Sequence, residues 1–144
     1  MTGPDDMQGP VRFEEIEHTA DRALRIQGTS WAELLINAAR GMNSILAPAP
    51  NRAPGRITRS VDLEAIDAES LLVAWLSELA YWAEAEALIF DRFVFHELDA
   101  IRLKATVTGA AIDGLERHVK AVTYHGLKIV TDAAGFSATV VFDV

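Results

Sequence analysis

Two stretches of the chain repeat apolar residues at helical spacing. In the first, Trp31, Leu34, Leu35, Ala38, Ala39, Met42, Ile45 and Leu46 fall on one stripe, the period of an amphipathic helix. Ser30 stands before it and Glu33 follows three residues on, a capping-box pattern. Pro48 ends it, because proline lacks the N–H a helix needs. A second helix is predicted over 68–87 with Asp67 as its cap. Leu72, Trp75, Leu76, Leu79, Trp82 and Ala83 share one face, and Glu78 and Glu84 fall off it. Both stripes read as core, not as a cofactor box.

The other apolar positions follow strand periods. Strands are predicted over 11–17, 23–27, 57–63, 88–98, 101–108, 118–130 and 136–142. The clearest is Ile101, Leu103, Ala105 and Val107 alternating with Arg102, Lys104, Thr106 and Thr108, a half-buried strand. Asp113-Gly114 marks a turn, and a tight turn at 132–135 makes the last two strands a hairpin. Residues 47–56, with Pro48, Pro50 and Pro54, read as a loop. The order ββαβαββββ implies an α+β fold, two helices packed on a mainly antiparallel sheet. Residues 1–10 read as a polar, Gly- and Pro-bearing tail, and 11–144 as a single domain.

Composition narrows the function classes. The 144 residues carry a formal net charge of −8 and no cysteine. Disulfides, a thiolate nucleophile and a thiolate zinc site are therefore excluded. No apolar run approaches the roughly 18 residues of a membrane span, and no basic-then-apolar leader opens the chain, so the expected location is cytoplasmic, with no membrane partner. Arg52, Arg56 and Arg59 form the only loose basic cluster. An acidic balance favours a protein partner or a cation over a phosphate-binding surface.

No Gly-rich phosphate loop, nucleophile elbow or helical His-Glu-x-x-His motif is present. His18, His96, His118 and His125 match no standard zinc spacing. The chain thus offers no recognisable catalytic machine of its own. Two segments invite a functional reading. Glu17-His18-Thr19-Ala20-Asp21 falls between two predicted strands, and Phe142-Asp143-Val144 ends the chain directly after a strong strand. If the last strand lies beside the first, Asp21, Asp143 and the Val144 α-carboxylate converge, as a hard cation such as Ca²⁺, Mg²⁺ or Mn²⁺ requires. The alternative is that Asp21 only shapes its turn and Asp143 is solvated. A third segment, Val119-Lys120-Ala121-Val122-Thr123-Tyr124-His125, carries Lys120 and His125. In a continuous strand Lys120, Val122 and Tyr124 share one face, and Ala121, Thr123 and His125 the other. Lys120 can equally be a solvated edge residue.

These segments, with Leu71-Leu72-Val73-Ala74-Trp75-Leu76-Ser77-Glu78-Leu79 and Ala138-Thr139-Val140-Val141-Phe142-Asp143-Val144, resemble the signature blocks of the archease family, in order and at similar spacing. The Pro-rich loop, the Ala-rich 83–87 and the tail lie outside the blocks. The resemblance implies an α+β fold related to strand-helix-strand-strand modules and a non-enzymatic role as cofactor of an RtcB-type RNA ligase in tRNA splicing or RNA repair. GTP and RNA would be met only through that ligase, whose guanylylation and multiple turnover the family promotes. It further implies a divalent metal held by Asp21, Asp143 and Val144, and a functional lysine at Lys120. His18 and His125, within the same blocks, join the expected partner-facing set. A chaperone-like role toward an RNA-modifying enzyme such as a tRNA methyltransferase is the alternative the resemblance leaves open.

Overall fold

The structure is a computed structural model and describes residues 13–17 and 21–144. The element order is β1 (Phe13–Glu17), β2 (Asp21–Gly28), α1 (Trp31–Leu46), β3 (Ile57–Glu64), α2 (Ala68–Glu86), β4 (Leu88–Leu98), β5 (Arg102–Ala111), β6 (Ala121–Thr123), β7 (Val130–Asp132) and β8 (Gly135–Asp143). The α+β class is as expected. The strands form two antiparallel sheets, one ordered β1-β2-β8-β6 with β7 also on β8, the other β3-β5-β4. The predicted tail at 1–10 lies outside the described residues.

Local chemistry sets the helix starts. Ser30 Oγ accepts the Glu33 N–H at 3.1 Å. The Glu33 carboxylate reaches back one residue further than a standard capping box, to the Thr29 N–H at 2.9 Å. Asp67 Oδ1 accepts the Ser70 N–H at 2.7 Å. Hydrogen bonding from the Ser70 side chain, and after it from this N–H, holds the Asp67 carboxyl below the usual carboxylate range, since both favour the charged form. The second helix ends at Glu86, one residue short of the predicted end, because Ala87 turns into the left-handed region at φ 54°.

Each helix contacts both sheets and the other helix. The shared core takes Leu34, Leu35, Ala38, Met42 and Ile45 from α1, and Leu72, Trp75, Leu76 and Leu79 from α2. The buried face of α2 is wider than the predicted stripe and adds Leu71, Val73 and Ala80, while Trp82 is only half-buried. Trp75 is fully buried, donates from Nε1 to the Leu35 carbonyl at 2.9 Å, and lies 5.4 Å from the Phe95 ring. Burying an indole requires such a partner for its N–H.

The predicted strand 118–130 is not continuous. Only Ala121–Thr123 and Val130–Asp132 pair with β8. Between them Leu127 N–H donates to the Tyr124 carbonyl at 3.0 Å, closing a turn with Gly126 at φ 63°. The facing predicted for Tyr124 and His125 therefore fails, since both leave the strand. Among the described residues, no helix is long and apolar enough to cross a membrane.

Candidate functional site

Sheet order decides where the predicted ligands meet. The last strand, β8, lies beside β2 and not beside β1, and Asp21 is the first residue of β2. Asp21 and Asp143 are direct cross-strand partners, followed along the ladder by Arg22 with Phe142 and Ala23 with Val141. Directly opposed residues carry their side chains on one face of a sheet, with Cβ atoms roughly 4.5–5.5 Å apart. Leu24 and Ile26 of β2 and Val140 and Phe142 of β8 fill the helix-facing core. Strand alternation then puts both aspartates on the opposite face.

Both carboxylates are half-buried, and no salt bridge among the described residues neutralises either. Like charges held this way repel, and a hard cation with oxygen ligands relieves the repulsion. The donor set therefore fits a divalent cation in chemical type. It is incomplete from side chains alone, for among the described residues no three His, Cys, Asp or Glu side chains group to hold a metal. The third expected ligand, at Val144, is a main-chain carboxylate, while the Val144 side chain packs against the core. Next along β2, on the opposite face of the sheet from the pair, Arg22 Nε lies 2.9 Å from Glu15 Oε1. That contact is close enough for an ion pair but not aligned as a hydrogen bond.

Lys120 precedes β6, the strand on the other side of β8. Its N–H donates to the Asp143 carbonyl at 2.7 Å, and Ala121 is the cross-strand partner of Asp143. Backbone pairing thus ties Lys120 directly to the aspartate strand. Its side chain lines a groove of about 290 Å³ with Ser77, Ala80, Tyr81 and Glu84 of α2 and Val119, Ala121 and Val122. Tyr81 is 64% exposed at its rim. The site therefore has two parts at one end of the sheet, a carboxylate pair on the central strands β2 and β8 and a lysine groove beside the edge strand β6.

The other predicted residues fall elsewhere. His18 lies outside the described residues. His125 sits in the exposed 124–127 turn, past the end of β6 that is remote from Asp143. Its N–H donates to Thr123 Oγ1 at 3.3 Å. The basic cluster is also no anion site. Arg56 is paired with Asp91, with Arg52 at 3.9 Å from the same carboxylate, and Arg59 is 3.0 Å from Glu86. The Arg56 hydrogen bond holds the Asp91 carboxyl below its ordinary range.

Sequence reasoning missed Tyr81 and Glu84. Glu84 accepts the Val119 N–H at 2.9 Å and meets His118 Nδ1 at 2.8 Å. Its only signal in the sequence was its place off the apolar stripe of α2, which reads as a solvated acid.

A two-sheet α+β chain with an aspartate pair and a lysine on adjacent strand ends defines the class of protein to seek. The profile of the archease protein family (MTH1598/TM1083) matches residues 13–144. The chain is 34% identical over 141 residues to protein archease of Methanosarcina acetivorans, covering 92% of this chain and 96% of that protein. The archease of Methanopyrus kandleri is 30% identical over 140 residues, with 92% and 99% covered. The solution structure of Methanobacterium thermoautotrophicum protein 1598 superposes with a TM-score of 0.66 at 28% identity, covering 92% of this chain and 98% of that one. The crystal structure of a Thermotoga maritima archease, described as a possible chaperone, gives 0.68 at 26% identity, with 91% and 96% covered. This chain belongs to the archease family.

Proposed function

We propose that the protein is a metal-binding accessory factor, not itself an enzyme, that activates an RtcB-type RNA ligase. It promotes GTP-dependent guanylylation and multiple turnover in tRNA splicing or RNA repair. The observation that carries this reading is the cross-strand pairing of Asp21 with Asp143. Two like-charged carboxylates facing each other are a poor structural choice and a good partial ligand set.

Asp21, Asp143 and the Val144 carboxylate would hold a Ca²⁺, Mg²⁺ or Mn²⁺ ion. A cation supplies charge neutralisation for phosphate oxygens and a template for in-line attack. A site with few protein ligands suits an ion shared with a nucleotide, since Mg²⁺ is commonly held by one or two carboxylates plus substrate phosphates. Lys120, on the neighbouring strand end, would meet an anionic group of the partner. The test is titration of the purified protein with Mn²⁺, Ca²⁺ and Mg²⁺, followed by guanylylation of the ligase. Asp143→Asn should lose both binding and stimulation while keeping the wild-type circular dichroism spectrum. Full stimulation by that variant would remove the metal role.

A second reading is a chaperone-like module for an RNA-modifying enzyme such as a tRNA methyltransferase. The Thermotoga maritima archease of similar fold, described as a possible chaperone, favours it. It is supported if a partner methyltransferase is kept from aggregating equally well by wild type and Asp143→Asn.

A further inference from the structure

Lys120 enters its groove from a segment tied down residue by residue. The Glu116 and Arg117 N–H groups donate to the Leu46 carbonyl at 2.7 and 3.3 Å, and the Lys120 N–H donates to the Asp143 carbonyl at 2.7 Å. Between these anchors stands one side chain. Glu84 of α2 accepts the Val119 N–H on Oε2 at 2.9 Å and pairs through Oε1 with His118 Nδ1 at 2.8 Å. The two residues it grips are those immediately before Lys120. Among the described residues, the Lys120 ammonium has no hydrogen bond or ion pair, so the path of its backbone is what steers it toward the groove.

We propose that Glu84 is the positioning residue for Lys120. It holds 118–119 against α2 so that the ammonium stands over the groove beside Ser77 and Tyr81, ready for an anionic group of the partner. This deepens the accessory-factor reading and rests on it. Glu84 is suited to the task because both of its oxygens are committed to one short segment. It also lies off the core face of α2, so its removal opens no cavity. Alanine at this helical position is intrinsically favourable, and Glu84→Ala should fold.

Two measurements test the proposal. The first is amide hydrogen exchange on the isolated protein. In Glu84→Ala, exchange at Val119 and Lys120 should quicken by about tenfold, the scale of one charge-assisted hydrogen bond, with Val140 and Phe142 in β8 unchanged. An unchanged Lys120 amide, or an equal acceleration throughout β8, overturns it. The second is ligase stimulation. Glu84→Gln keeps an acceptor for Val119 and a donor for His118 and should retain most stimulation, while Glu84→Ala loses it. The double variant Glu84→Ala/Lys120→Ala should be no worse than Lys120→Ala alone, since the first residue acts through the second. Additive losses, or equal loss in the Gln and Ala variants, contradict a positioning role. If the wild-type protein fails to stimulate the ligase at all, the accessory-factor reading falls, and the exchange data still decide whether Glu84 fixes Lys120.

Discussion

Replacing Asp21 by Asn in metal-free protein should raise its stability, an unusual outcome for a residue at a candidate metal site. Asp21 faces Asp143 directly across β2 and β8. Opposed Cβ atoms lie roughly 5 Å apart. Two unit charges at that separation repel by about 0.8 kcal/mol in water and about 3 kcal/mol at an effective dielectric of 20. Both side chains are only half-buried, so the lower end applies, about 1 kcal/mol. In a chain of this size that corresponds to a rise in Tm of roughly 2–4 °C. The assay is thermal unfolding of wild type and Asp21→Asn in chelator at low salt. Because exposed charges are screened within about 3 Å at 1 M salt, the difference should shrink there. Added Mn²⁺ should then reverse the order. At a hundredfold excess over Kd it stabilises the wild type by about 2.7 kcal/mol and the variant much less. An Asp21→Asn protein that is less stable without metal, or that gains as much from Mn²⁺ as wild type, would mean that the two carboxylates neither repel nor share a cation.

Other outcomes follow from the same geometry. Hydrogen bonding from Ser70 and from Arg56 lowers the Asp67 and Asp91 carboxyls, respectively. Their contribution is present above the unfolded carboxylate value of about 3.9 and is lost as pH falls through the lower folded values. Asp67→Asn/Asp91→Asn should thus show a shallower loss of stability below about pH 4 in denaturant titrations. Gly109→Ala would place a Cβ 1.9 Å from the Ile89 carbonyl oxygen and 2.6 Å from Phe90 Cα. Backbone cannot yield cheaply there, so urea unfolding should show a loss at or above about 1–3 kcal/mol. Lys120→Ala removes an exposed side chain with no partner among the described residues, so its stability should stay within about 0.5 kcal/mol of wild type while stimulation of the ligase is lost.

Period and capping chemistry carried most of the fold. Ser30 and Asp67 cap the helices they were expected to cap, and β5 keeps the alternation of Leu103, Ala105 and Val107 toward the core. These signals are local, and the backbone obeys them within a few residues. The division into two sheets was not legible, because alternation says which side of a strand is buried and nothing about its neighbours. That gap mattered at the site. The sequence placed Asp21 and Asp143 at strand ends, but only the position of β8 beside β2 makes them partners. The break in 118–130 escaped for another reason. Val119, Ala121 and Thr123 keep a strand-like rhythm, while tertiary bonds from Glu84 and Leu46 and the positive φ of Gly126 divide the segment. Glu84 itself meets residues 34 and 35 positions away, a contact that no local pattern encodes.

The most direct test of the central claim is RNA ligation by the same organism's RtcB-type ligase, with GTP and Mn²⁺ and a large excess of RNA over ligase, with and without this protein. The wild-type chain should convert a single round of ligation into many rounds, and Asp143→Asn should leave the ligase at a single round. Ligation unchanged by the wild-type chain across Mn²⁺, Mg²⁺ and Ca²⁺, or equal turnover with Asp143→Asn, would contradict the claim.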